Sequence, residues 1–340
     1  MKLYAEIKNI VLRSVRISLE LYKIMIPILI VVKVLHELDL ISWLALPLKP
    51  IMGLVGLPAE MGLVWATAMI NNIYGSMIVF VSLAGEQNLS IAQVTVLCTM
   101  ILVAHSLPVE LHIVRKSGPA LWFQGLLRVA GALVLGWILS RLYAWGGWLQ
   151  DANVLAWTPE PEQGDMLSWA VDQGYNLLMI FVIILILNTV MQVFTAIGLT
   201  QWCVRLLSPV LRMLGIGPEA GPLTIVGMVM GLSYGGGMIM HEAHSGKVAP
   251  KDVFASLSLM GLAHSIFEDT LLMAVLGAHI SGLLWARVIF TLVVTALLVR
   301  MVRRLGDVFF HRYLFHTPDL TAAMQPCCPG APLPDTQAQK

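Results

Sequence analysis

The chain has 340 residues, 58% of them hydrophobic and 12% charged, and its mean hydropathy is +0.80. Soluble domains carry about 25% charged residues, so this composition excludes a soluble enzyme. With 21 Lys plus Arg against 20 Asp plus Glu, no basic field remains to attract nucleic acid.

In chain order, a basic tail (1–16) with Lys2, Lys8, Arg13 and Arg16 leads into apolar segments at 20–38, 40–57, 61–84, 94–113 and 119–141. A linker (144–167) rich in Pro and Gly carries Asp151, Glu160, Glu162 and Asp165. Five further apolar segments follow at 169–197, 199–216, 220–243, 253–275 and 280–300, and a tail (304–340) closes the chain. About 20 apolar residues suffice for one crossing, so ten crossings are expected. The second segment of each set is weak. Pro47, Lys49, Pro50 and Gly53 interrupt one, and Arg205, Pro209 and Arg212 the other, which predicts broken or interfacial helices there. Cys98 and Cys203 lie in apolar segments and Cys327 and Cys328 in the tail, a pattern that specifies neither a disulfide framework nor a metal site.

The two sets of segments are copies at a spacing of 159 residues. Trp43 meets Trp202, Pro50 meets Pro209, Gly56 meets Gly215, Glu60 meets Glu219, and Ala104-His105-Ser106 meets Ala263-His264-Ser265. Glu110 meets Asp269, Gly118 meets Gly277, and Arg128 meets Arg287. Apolar sequence would match by chance in Leu and Val, not in Trp, Pro, Glu and His in one register. The repeat covers 17–143 and 168–303.

Basic residues near span ends are retained on the cytoplasmic side. Both tails are basic, whereas no Lys or Arg occurs between Leu142 and Val204. Both termini are therefore expected in the cytoplasm and the linker outside. Each copy then crosses an odd number of times, so the second is inverted. The loops agree. Lys247 and Lys251 lie in a loop whose counterpart has no basic residue, and Arg115 and Lys116 face Ala274 and Val275. The expected fold is an all-α polytopic membrane protein of two inverted-topology repeats, about five membrane segments each, with interrupted helices near the midplane.

Two pairs of polar stretches carry the candidate chemistry. Asn71, Asn72, Tyr74 and Ser76 interrupt one span, and Ser233, Tyr234, Gly235 and Gly236 interrupt its counterpart, in a glycine run that weakens a helix. Freed backbone groups must meet protein or water, so these residues are expected to contact a solute or to form a packing seam. His105, Ser106 and Glu110, with His264, Ser265, Glu268 and Asp269, form the second pair, expected to couple protons or cations. On a regular helix His264 and Glu268 share a face, while His105 and Glu110 diverge unless Pro108 kinks the segment. His241, Glu242 and His244 miss the His-Glu-x-x-His spacing of a zinc protease, leaving either a cation site at the inner mouth or a solvated loop beside Lys247. Glu60 and Glu219 open equivalent spans as expected caps. No phosphate-binding glycine loop is present, and neither an enzymatic activity nor a cofactor is expected.

The Asn-Asn-Ile-Tyr-Gly-Ser and Ser-Tyr-Gly-Gly-Gly stretches, each followed by an Ala-His-Ser segment, resemble the Gate or nucleoside-recognition domain. Concentrative nucleoside transporters, the membrane part of the ferrous-iron permease and spore maturation proteins A and B share that domain. The resemblance implies a substrate-gating core in a bacterial inner membrane and names no substrate. The chain has no GTPase domain, and neither Cys98 nor Cys203 falls in the interrupted stretches, which argues against iron. The expected activity is secondary transport of a small polar solute with proton or cation coupling. The rivals are a divalent-cation permease and a non-transporting component of an envelope complex. The expected partners are the lipid bilayer, the solute or cation and a second copy of the chain, and not nucleic acid.

Overall fold

The computed structural model describes residues 2–38, 40–84, 87–154, 166–232, 238–242 and 247–316. Its named elements are all helical. The first copy contributes α1 (Lys2–Glu37), α2 (Leu40–Ala45), α3 (Lys49–Leu54), α4 (Met61–Ile70), α5 (Ile73–Ala84), α6 (Ile91–Val103), α7 (Leu107–Lys116) and α8 (Leu121–Gly146). The second contributes α9 (Met166–Ala196), α10 (Leu199–Leu214), α11 (Ala220–Met230), α12 (Pro250–Leu262), α13 (Glu268–Ala274) and α14 (Arg287–Arg304), the last preceded by a π-helical turn, Ser281–Ala286.

Long apolar runs in lipid must satisfy every backbone group internally, and helices do so. Residues Ile91–Lys116, Leu121–Gly146, Ser168–Phe194 and Ser281–Arg304 form helices long and apolar enough to cross a membrane. α9 turns Val171, Tyr175, Leu178, Val182, Ile186 and Val193 outward, a stripe at helical spacing suited to lipid. α8 exposes Trp122 near one end and Trp145 near the other, ~34 Å apart at 1.5 Å per residue. That separation suits an aromatic belt at each interface of a ~30 Å hydrocarbon layer.

The structure adds detail to the sequence-based segments. Residues 2–16, read as a cytoplasmic tail, are helical and continuous with α1, because nothing before Pro27 breaks the helix and even Pro27 lies within it. The first weak segment is broken as expected, by a 3-10 turn at Leu46–Leu48 around Pro47, but its counterpart α10 runs unbroken through Pro209. Glu60 and Glu219 stand at the N-cap positions of α4 and α11, yet neither side chain makes a capping hydrogen bond. Any benefit there is electrostatic only.

Local geometry repeats at the sequence spacing. α6 ends at Ala104 (φ −135°, ψ 82°) and α12 at Ala263 (φ −146°, ψ 82°), and the left-handed residues Ser106 (φ 48°) and Ser265 (φ 45°) follow. Loops beyond them turn at Gly118 (φ 112°) and Gly277 (φ 90°), where a side chain would also strike Phe315 or Asn153 respectively. Two short returning segments clip these loops. After α8, Leu149 O and Asp151 O accept from Ala92 N and Ile91 N, and Asn153 Nδ2 reaches Leu276 O at 3.0 Å. After α14, Leu314 O accepts from Ala120 N and His316 N donates to Gly118 O, both at 2.8 Å. Lys251 donates to Asp307 at 2.7 Å within this second clip and holds that carboxyl below its usual range.

The two copies share a core. Leu262, Leu272, Met273, Leu276 and Leu283 of the second copy are buried in the cluster built on α4, α5, α6 and α8. α6 packs on α8, α12 on α14, and α12 also meets α8 across the junction.

Candidate functional site

Where α6 and α12 stop, their last carbonyls lack helical partners, and an arginine from the neighbouring long helix supplies them. Arg128 on α8 donates Nε to Val103 O and Nη2 to His105 O, both at 3.0 Å. Arg287 on α14 donates Nε to Leu262 O (3.2 Å) and Nη2 to His264 O (2.8 Å). Both arginines are 1% exposed, and the negative ends of two helix dipoles meet them. The freed amides also find partners: Ser106 N donates to Ala68 O near the end of α4, and Ile266 N to Met228 O near the end of α11. Each broken helix of one pair therefore braces the other within its own copy.

These breaks bring His105 and His264 together, with Nε2 atoms 3.1 Å apart and ring centroids 4.9 Å apart. Each Nδ1 lies 2.9 Å from a carbonyl one turn back, Ile101 O and Met260 O. A carbonyl only accepts, so both Nδ1 atoms carry hydrogen, and in the neutral rings both Nε2 atoms present lone pairs to each other. Glu110 Oε1 lies 3.4 Å from His105 Nε2 and 3.2 Å from His264 Nε2, while Arg128 holds Glu110 Oε2. Asp269 Oδ2 lies 4.0 Å from His105 Nε2. His105, Glu110, His264 and Asp269 are all at least nine-tenths buried. Four acceptors thus converge with no donor among them.

The two copies differ here. Arg128 is ion-paired with Glu110, whereas Arg287 Nη1 and Asp269 Oδ2, their counterparts, have no hydrogen-bond partner.

The expected pairing of His264 with Glu268 on one helical face is overturned, because the helix breaks between them at left-handed Ser265 and restarts only at Glu268. Asp269, one residue on, is the buried acid that approaches the histidines. His105 and Glu110, expected to diverge unless the segment is kinked, do approach one another: the break comes at Ser106, just before Pro108, and lets Glu110 in the first turn of α7 face back toward His105. Ser106 and Ser265 serve as the left-handed hinges, and Gly231 (φ 104°) lies so close to Ser265 Oγ that a Cβ there would be 2.9 Å from it.

The interruption expected over Asn71–Ser76 is confined to Asn71 and Asn72. Tyr74 and Ser76 belong to α5, and buried Ser76 Oγ donates to Ile73 O at 2.6 Å, so it has no hydroxyl hydrogen to offer a solute. Asn72 Oδ1 accepts from Gly75 N at 2.8 Å and caps α5. Asn71 Nδ2 has no partner and lies over Gly75, where a Cβ would be 2.7 Å from it. Asn71 also lines an apolar cavity of about 560 Å³ with Pro27, Ile28, Ile41, Leu63 and Thr67. Ser233, Tyr234, Gly235, Gly236 and His244 lie outside the described residues. His241 is exposed, and Glu242 pairs with Lys247 at 3.3 Å, consistent with the solvated-loop reading.

Arg128 and Arg287 received no role from the sequence, although the repeat already matched them. The signal was an arginine at equivalent depth in two apolar spans, where a charge is costly unless something receives it.

The chain is 25% identical over 271 residues, 78% of its length and 85% of the other's, to an uncharacterized membrane protein, YvoD, of Bacillus subtilis (strain 168). No protein-family profile matches the chain, and no solved structure matches it. The chain is thus an all-α membrane protein, and the Gate-domain resemblance has no support beyond the stretches that carry it.

Proposed function

We propose that the chain is a cation-coupled secondary carrier of a small polar solute, with its coupling site at the junction of two inverted repeats. The observation that carries this reading is the convergence of His105 Nε2, His264 Nε2, Glu110 Oε1 and Asp269 Oδ2 in a buried space. Lone pairs at 3.1 Å repel unless a positive charge lies between them. A proton shared as N–H···N meets that demand, and so does a metal cation. Ionisable groups this deep in a membrane protein are costly, and a coupling site gives that cost a use.

The distribution of Lys and Arg supports both termini on the cytoplasmic side of a bacterial inner membrane. It also supports opposite orientation of the two copies, and inverted repeats place their sites where the copies meet, often at broken helices. Asn71, with its unpartnered amide at the break between α4 and α5, is the solute contact this reading favours. From the sequence, Tyr74 and the counterpart stretch Ser233, Tyr234, Gly235 and Gly236 are the further solute contacts of this reading.

The test is a screen of nucleosides, amino acids and carboxylates on proteoliposomes, recording charge movement and lumenal pH. Wild-type protein should give solute-dependent charge movement that disappears in the His105→Gln/His264→Gln variant. Solute flux that the variant leaves unchanged would refute coupling at the histidines. A membrane component without transport would give no solute response from any member of the panel.

A further inference from the structure

We infer that His105 Nε2, His264 Nε2, Glu110 Oε1 and Asp269 Oδ2 form a four-donor site for a divalent transition-metal cation of the zinc class. The inference rests on the reading of this cluster as a cation site and names the cation. Its first support is shape. Tetrahedral zinc with ligands at about 2.0–2.2 Å requires ligand-to-ligand distances of about 3.3–3.6 Å. The two histidine nitrogens stand 3.1 Å apart, Glu110 Oε1 is 3.2 and 3.4 Å from them, and Asp269 Oδ2 is 4.0 Å from His105. His105, His264 and Asp269 offer ligand atoms within 4.8 Å of one another, and Glu110 Oε1 stands against both rings as the fourth donor.

The second support lies in the groups behind the donors. Metal-binding histidines generally donate their other N–H to a carbonyl or carboxylate, which fixes the tautomer and aims the lone pair. Ile101 O and Met260 O do this for the two rings, and Arg128 holds the far oxygen of Glu110 while leaving Oε1 for the centre. The third is the unpartnered Asp269 Oδ2, 8% exposed as a residue and directed at the histidines. Two imidazoles and two carboxylates suit zinc, iron, cobalt or manganese over calcium or magnesium, which favour all-oxygen shells. The carbonyls closing α6 and α12 hold both guanidinium groups behind the donors, and Glu110 offsets the charge of Arg128.

Full-length purified protein, stripped with chelator and dialysed against buffered Zn²⁺, should retain one zinc per chain. His105→Gln and His264→Gln should each weaken retention at least tenfold, while His241→Gln, at an exposed histidine, should not change it. Co²⁺ offers a reading on unaltered protein should the variants fail to fold: bound in this site it should show the strong visible absorption of a tetrahedral centre. Retention below one zinc per chain, equal retention by the double histidine variant, or only the weak spectrum of octahedral Co²⁺ would each overturn the inference. Binding is read at equilibrium, without transport. Solute-driven charge movement without zinc retention would therefore strike this inference alone, and zinc retention without any solute response would strike the carrier reading alone.

Discussion

The two copies place an arginine and an acid at equivalent positions, yet only one pair is closed. Arg128 holds Glu110, whereas Arg287 and Asp269 keep an unpartnered Nη1 and an unpartnered Oδ2. The surrounding geometry is otherwise duplicated, from the left-handed serines to the carbonyl bonds of both arginines. A repeat therefore supplies two chances to form an ion pair, while the single space between the copies holds only one Glu110-like oxygen against both rings. Asp is one methylene shorter than Glu, which is one physical reason that Asp269 stays farther from the centre.

Replacing the arginines breaks this comparison most sharply. Arg128→Met removes the partner of a buried carboxylate and should cost about 3–5 kcal/mol. Arg287→Met forfeits hydrogen bonds to two carbonyls but strands no paired acid, and should cost about 1–3 kcal/mol. Denaturant unfolding in detergent measures both, and equal losses would mean that the closed ion pair is not what distinguishes the copies.

The hinges test the part that is alike. Ser106→Val and Ser265→Val each force a β-branched residue into the left-handed region and should each destabilise by about 1–2 kcal/mol. Glycine at either position should be tolerated, since it adopts positive φ freely. A large difference between the two valine variants in thermal unfolding would show that only one break is held rigidly.

The smallest expected effect concerns the clips. Asn153→Ala loses one side-chain hydrogen bond to Leu276 O, worth about 1 kcal/mol, beside the loop at Gly277. Hydrogen exchange should then rise at 276–279 and not at 117–120, where Leu314 and His316 provide the other clip. A rise in both loops would indicate that the clips act as one unit.

Composition, the membrane class and the register of the repeat were legible in the chain alone, because hydropathy and duplicated Trp, Pro, Glu and His are local properties of the sequence. The Ala-His-Ser segments also stood out as candidates, since ionisable groups within apolar runs are visible one by one. Which acid serves the histidines was not. Periodicity assumes a continuous helix, so it put Glu268 on the face of His264 and brought Glu110 to His105 only if Pro108 kinked the segment. Two left-handed serines decide both outcomes, and nothing in Ser106 or Ser265 taken singly announces positive φ. The role of Asn72 as a cap and of Ser76 as a helical residue was hidden for a similar reason: polar residues in a span read alike whether they face a cavity or their own backbone.

The sequence by itself determined that this is an all-α membrane protein, and it carries matched Trp, Pro, Glu and His at a spacing of 159, because apolar length and residue identity follow from the order of side chains. Only the tertiary structure decided that His105 and His264 touch, that Arg128 and Arg287 close the broken helices, and that one ion pair forms while its twin does not. Those contacts join residues far apart in the chain, across helix ends whose direction depends on backbone angles and whose partners depend on packing between the copies.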